Sequence, residues 1–341
     1  MKRFFALLLA LVMILALTAC GEKETTSTPD TTEPENTTYT IRYSHVQGVS
    51  SPTHQAAEWL KTWLAENSNG QIVLEIYPSG QLYDDSTEID AVIAGNVEMI
   101  STQLSKLTSL SPDVASSIVP YLFTSAEDMQ EFYADEDVQK LIFQKFEETG
   151  IKVLGTCYSG DMYLWTNNGV AIEKMEDLKG LQMRETASAM TSAMYEALGA
   201  NLVSISYSEL YTGMQTKLAD ACTTTIDGVT GIQLQEVLTN VSNIKHQFVP
   251  FLIQFNKATF ESYPEDIQAL IREGIAKAGE YQLELVKQVA TEGLKICEDS
   301  GVVYNEMSDA EIARLKKLWD GVCEEYIADN WKQALEIYRA K

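Results

Sequence analysis

Positive charge is scarce in this chain. Lys and Arg number 25 against 49 Asp and Glu, a formal net charge of −24. That balance repels nucleic acid phosphates and anionic lipid headgroups, which excludes a nucleic-acid partner. A small anionic ligand would need a local cation within a repulsive field, so an Arg or Lys placed in a cleft is unusually informative. Histidine is scarcer still: His45, His54 and His246 are too dispersed to suggest a metal site. There is no G-x-S-x-G, H-E-x-x-H or P-loop, so the chain is read as neither an enzyme nor the holder of a cofactor. The cysteines match no zinc or C-x-x-C spacing. Cys157, Cys222, Cys297 and Cys323 read as free buried thiols, and Cys297 with Cys323 is the one pair considered for a disulfide.

Long apolar runs are also missing. Phe4 to Leu17 is apolar for 14 residues, too short to span a bilayer and right for a signal-peptide core. Lys2 and Arg3 precede it, and "LTAC" resembles a bacterial lipobox, so residues 1–19 are expected to be a signal peptide and Cys20 a diacylated anchor. An ordinary signal peptide with an incidental cysteine is the alternative. Residues 21–38, "GEKETTSTPDTTEPENTT", hold seven threonines and two prolines but no aromatic or large aliphatic residue. Such a stretch cannot bury enough apolar area to offset its ordering entropy, so 20–38 are expected to be a lipidated, disordered tether.

A chain of 341 residues has ample length for two domains with separate cores beyond the tether. Strand and helix signals alternate: "YTIRYSHV" and "QIVLEIYP" as strands around the helix "SSPTHQAAEWLKTWLAENSNG", with Pro52 in its first turn and Gly70 at its stop. "DDSTEIDAVIAG" reads as a helix capped by Asp85, with Glu88 three residues on, followed by the strand "VEMIS". The helix "SAEDMQEFYADEDVQKLIFQKFEETG" leads to the strand "IKVLGTCY". Then come "LQMRE", "SAMTSAMYEALG", "LVSIS", "SELYTGMQTKLA" and "ADACTTT", again alternating. This is an α/β pattern with parallel crossovers, its sheets covered on both faces. Pro264 to about Cys297 predicts one helix of roughly 50 Å at about 1.5 Å per residue, long enough to span two domains.

Several stretches resemble the DctP-type solute-binding subunits of TRAP (tripartite ATP-independent periplasmic) transporters: "YPSGQLYDDSTEIDAVIAGNVEM", "LKGLQMRET", "SYSELYTGMQTKLAD" and "FLIQFNKATFESYPEDIQALI". They occur in the family's order, and the likeness runs from about Tyr39 to the C-terminus. The resemblance implies a two-domain periplasmic-binding-protein-like α/β fold with hinge segments and a long bridging helix. On it, 39–160 plus 250–289 are expected as domain I, 161–249 plus 290–315 as domain II, and 316–341 as a C-terminal helical segment. It also implies an interdomain cleft for a small organic acid. The partners would be two integral membrane subunits, and the protein would be a monomer held outside the cytoplasm by its lipid. An ABC-type binding lipoprotein and a ligand-binding module for a membrane sensor are the alternatives.

The resemblance gives Arg184 a role as carboxylate clamp, for which its planar fork is suited; a pair with Glu185 or another acid is the other reading. The helix starting near Ser188 would add its positive end. Tyr207 is an expected ligand aromatic or a core residue. Gln103 is an expected polar contact, Lys106 a second cation or a solvated one, and His45 a ligand contact or a backbone-bonded strand end. Met190 and Met194 read as core. Two departures stand out: a second family arginine falls on Met162 or Tyr163, and the family's G-Q-E-N-P is replaced by Ala221 to Thr225, leaving Thr224 to make fewer hydrogen bonds than an Asn. A monocarboxylate with an apolar or aromatic portion near Met162, Tyr163 and Trp165 is therefore expected.

Overall fold

The computed structural model describes residues 37–185, 188–244 and 246–341. Cys20, the leader and the tether before residue 37 lie outside them. Thr38–Lys341 form one compact unit built on two sheets. The strands are β1 (Tyr39–His45), β2 (Ile72–Tyr77), β3 (Met99–Gln103), β4 (Ile151–Asp161), β5 (Tyr163–Thr166), β6 (Gln182–Glu185), β7 (Asn201–Ser204), β8 (Ala221–Thr224), β9 (Asn240–Asn243), β10 (Phe248–Asn256) and β11 (Val303–Glu306). The first sheet has the order β2-β1-β3-β10-β4 and the second β11-β9-β5-β8-β6-β7.

The sheets are mixed rather than wholly parallel. β1 runs parallel to β2 and β3, and β6 to β7 and β8. β10 is antiparallel to β3 and β4, and β5 to β8 and β9. The antiparallel members follow from the crossings: the chain leaves the first sheet from β4 into β5 and re-enters it from β9 into β10. Where the crossings meet, the Met162 N–H donates to the Gln247 carbonyl at 3.0 Å.

Each sheet is buried on both faces. The first is packed on one side by Leu60 and Leu64 of the helix Pro52–Asn67 with Ile267, Ile271 and Ile275, and on the other by Phe132, Tyr133, Phe146 and Trp331. Alternation along the strands sorts the second: Leu164 and Ala221 face the cluster of Met183, Met190 and Trp319, whereas Tyr163, Trp165 and Cys222 face that of Leu210, Met214 and Val241.

The expected long helix is present as Glu265–Asp299, 35 residues. It packs on β4 and the helix Pro52–Asn67 in the first lobe, and on the helix Ile226–Thr230 and β11 in the second. The predicted single helix from Ser125 to Gly150 is three short ones, Ala126–Ala134, Glu136–Ile142 and Gln144–Glu148. Asp135 breaks it: its backbone is extended (ψ 123°) and its carboxylate accepts from the Asp137 and Val138 N–H groups, capping the second helix. The C-terminal part is shared between lobes. Helix Asp309–Cys323 contacts helix Ala189–Glu196 of the second lobe, and helix Asp329–Arg339 contacts Glu136–Ile142 of the first. Cys157, Cys222, Cys297 and Cys323 are free and buried, with Cys297 and Cys323 in different core clusters, so this pair forms no disulfide. Among the described residues, no helix is long and apolar enough to cross a membrane.

Candidate functional site

A cleft open to solvent lies between the two sheets, lined by residues of both. Gln103 at the end of β3, Arg184 in β6 and Thr224 at the end of β8 all line it, so it opens at carboxyl ends of strands, where open α/β sheets bind ligands. Met162 and Gln247, from the two crossing segments, also line it.

Arg184 is the cation of this cleft. It is only 5% exposed, its Nε donates to the Ile205 carbonyl at 2.9 Å, and among the described residues no carboxylate pairs with it. Burial lowers its pKa from the ordinary value, opposed by Cys222, Asp85, Tyr207 and Glu185. The expected alternative, an ion pair with Glu185 on the surface, does not describe this residue. A desolvated guanidinium without a counter-ion is unfavourable, and an arriving anion relieves that. Next to it, Ser188 caps the helix Ala189–Glu196 by accepting from the Thr191 N–H, and Thr191 lines the cleft. Tyr207 is half-buried against the cleft, its hydroxyl donating to the Gly228 carbonyl at 2.9 Å. The Tyr195 hydroxyl donates to Thr223 Oγ1 at 3.1 Å.

Lys106 also lines the cleft, but its Nζ is 3.0 Å from Asp85 Oδ2, so its charge is already matched. Asp85 does not cap a helix. The short helix begins at Glu88 after Thr87, without a side-chain cap bond, and Asp84 accepts from Ser86 and Thr87 instead. Glu88 is 2% exposed, and burial, reinforced by Asp85 and opposed by Lys106, raises its pKa well above the usual carboxylate range.

Two expected contacts are elsewhere. His45, the last residue of β1, is fully buried, its Nε2 3.3 Å from His54 Nδ1, and burial pushes its pKa down to about 3, so it is neutral. The lining begins one residue later, at Val46 and Gln47. Tyr163 packs in the second lobe's core with Trp165, whose Nε1 donates to the Thr224 carbonyl at 2.9 Å. Neither aromatic is among the residues that line the cleft. The apolar wall is made by Met162, Met194, Ile118, Val249 and Phe251 instead. Met194 thus serves both core and cleft, while Met190 is core only.

Sequence reasoning missed Gln47, Glu88, His246 and Gln247 as lining residues. His246 reads as one of the dispersed histidines; it is 3% exposed, its ring lies tilted against Trp319 with centroids 5.5 Å apart, its Nδ1 has no partner among the described residues, and burial lowers its pKa to about 4, so it is neutral. The usable signal was position: Gln47 lies two residues past β1, Glu88 begins a helix, and His246 and Gln247 sit in the short crossing between β9 and β10. Among the described residues, no group of three or more His, Cys, Asp or Glu side chains could hold a metal ion.

Residues 43–330 match the family described as bacterial extracellular solute-binding protein, family 7. The C4-dicarboxylate-binding periplasmic protein DctP of Rhodobacter capsulatus is 25% identical over 287 residues, covering 84% of this chain and 85% of its own. The 2,3-diketo-L-gulonate-binding periplasmic protein YiaO of Escherichia coli K12 is 28% identical over 261 residues, 75% of this chain and 78% of its own. A TRAP periplasmic solute-binding protein from Desulfovibrio salexigens, solved with bound orotic acid, superposes with a TM-score of 0.82 at 22% identity, covering 89% of this chain and 98% of that one. The fold is that of those two-domain binding proteins.

Proposed function

The chain belongs to bacterial extracellular solute-binding protein family 7 and is a TRAP-type solute-binding subunit, a transport component and not an enzyme; from that premise we propose that its cleft captures a small organic carboxylate through Arg184. The observation that carries this reading is a guanidinium 5% exposed, lining a cleft and lacking a carboxylate partner among the described residues. The relatives named for C4-dicarboxylates and for 2,3-diketo-L-gulonate support an acidic ligand. Since Asp85 neutralises Lys106, one net cation remains for the ligand, which favours a monocarboxylate over a dianion held at both ends. Its apolar portion lies against Met162, Met194 and Phe251, and Thr224, Gln103 and Tyr207 supply polar contacts.

Capture then proceeds by entry into an open wet cleft, pairing with Arg184, and closure of the lobes about the crossing segments. The closed form is presented to the integral membrane subunits of a TRAP transporter. The protein works as a monomer outside the cytoplasm, anchored by diacylation of Cys20. Family membership favours this over an ABC-type lipoprotein or a sensor module. The test is a thermal-shift screen of organic acids against neutral sugars: an acid at a hundred times its Kd adds about 2.7 kcal/mol. A response to sugars with none to acids refutes the assignment.

A further inference from the structure

We propose that Asp85, Glu88 and Lys106 form a second recognition subsite, on the cleft wall supplied by the first lobe, that takes the protonated amine of a ligand whose carboxylate is held by Arg184. The ligand class is then an amino acid or a related ammonium carboxylate. This rests on the carboxylate reading above and narrows it.

Glu88 lines the cleft, is 2% exposed, and its buried Oε2 has no hydrogen-bond partner among the described residues. A buried carboxyl left without a partner works against folding, and native proteins keep few of them. A partner that arrives with the ligand accounts for its place in the wall. Lys106 does not fill that role here: its Nζ donates to Asp85 at 3.0 Å and, among the described residues, makes no hydrogen bond to Glu88. Asp85 is also near enough to Arg184 to favour the guanidinium's charge, so the two walls face one ligand space.

The unpartnered Glu88, rather than net charge, selects the amine. The cleft carries Arg184 and Lys106 as cations and Asp85 as an anion, while burial and the neighbouring Asp85 favour the protonated form of Glu88. A carboxylate alone brings the sum to zero. An ammonium carboxylate adds no net charge, so its cationic end draws Glu88 into ionisation, and that proton leaves to solvent. The occupied cleft then balances pair by pair. The groups facing Glu88 are Asp84 and Asp85 from the preceding turn, Lys106 from the turn after β3, and Tyr43 of β1.

The experiment is calorimetric titration of the full chain at pH 7 in two buffers of different ionisation enthalpy. The probes are 2-aminobutanoate and 4-aminobutanoate, each beside butanoate and the matching hydroxybutanoate. The expected result is that one amine-bearing acid binds tenfold or more tighter than both its counterparts and releases close to one proton. Glu88→Gln should bring that ratio to about threefold or less and abolish the release. Proton release by the unaltered protein needs no variant, so a poorly folding Glu88→Gln leaves the test intact. If butanoate or the hydroxy acids bind as tightly as the amines, or no proton is released, this inference falls and the carboxylate reading stands. If no acid binds at all, both fall.

Discussion

Replacing Arg184 separates recognition from architecture. A guanidinium fork that grips both oxygens of a carboxylate makes two charge-assisted hydrogen bonds, each contributing about 1.5–3 kcal/mol. Arg184→Ala should therefore weaken the tightest-binding acid by about 3–6 kcal/mol, or about 10²- to 10⁴-fold in Kd. Arg184→Lys keeps a charge but not the fork, and should lose about half of that free energy. The ligand-free protein behaves differently. Alanine removes one hydrogen bond to the Ile205 carbonyl, and leaving that carbonyl unpaired costs about 1–3 kcal/mol. It also removes a desolvated cation with no carboxylate partner among the described residues, whose burial costs several kcal/mol. The two offset, so the unliganded variant should melt within a few degrees of the parent, or above it. Scanning calorimetry with and without ligand, and titration calorimetry for Kd, read both quantities. A Kd within threefold of the parent for Arg184→Ala, or loss of more than about 3 kcal/mol of ligand-free stability, would refute the reasoning.

Three further outcomes are expected. Burial raises the Asp227 carboxyl from 3.8 to about 6, against hydrogen bonds from Thr225 and Gly228 that lower it. The folded state thus holds this proton to higher pH than the unfolded chain, so stability falls as pH rises from about 4 to 6, by about 3 kcal/mol at 1.36 kcal/mol per pKa unit; denaturant melts should show the slope, and Asp227→Asn should flatten it. Gly293 and Gly321 should respond to alanine with opposite signs. A Cβ on Gly293 would sit 2.3 Å from Ile226 Cγ2, where the long helix crosses the second lobe, whereas one on Gly321 meets nothing within 4 Å; chemical denaturation should show a loss of about 1–3 kcal/mol and a gain of about 0.5–1 kcal/mol respectively. Finally, burial pushes the thiols of Cys157, Cys222 and Cys323 up to about 12 and that of Cys297 to about 11. A thiol reagent followed by mass mapping should label none of the four in native buffer and all four in denaturant; fast labelling of any one in native buffer would contradict its burial.

What could be read from the chain, and what could not, divides along physical lines. The helix Glu265–Asp299 was legible because its start is marked by Pro264 and its apolar stripe at 267, 271, 275 and 278 is unbroken. Strand direction was not, because a short apolar run has the same pattern whichever way it is threaded; the antiparallel β5 and β10 emerge only once the crossings are known. Tyr163 was misplaced for a related reason. Its period-2 partner Trp165 shows that both point to one face of β5, yet which face meets the cleft is set by the neighbouring strands β8 and β9. Glu88 looked like half of a capping pair because acid residues are common at helix starts, and only burial on the first-lobe side reveals it as cleft wall.

The site's location explains why a chain of net charge −24 can hold an anion. Screening at physiological salt reduces the field of exposed carboxylates beyond about 8 Å, whereas a buried cation is screened far less. Arg184 sits inside this boundary, buried in the cleft wall, and its nearest compensating charges are few. The carboxylates outside repel the ligand weakly and at a distance; the guanidinium attracts it strongly at contact. Met162 and Gln247 lie at the joint between the lobes, bonded backbone to backbone, and also touch the ligand space. A ligand that fills the cleft therefore presses on the same residues about which the lobes would turn, so binding and closure draw on one set of contacts rather than two.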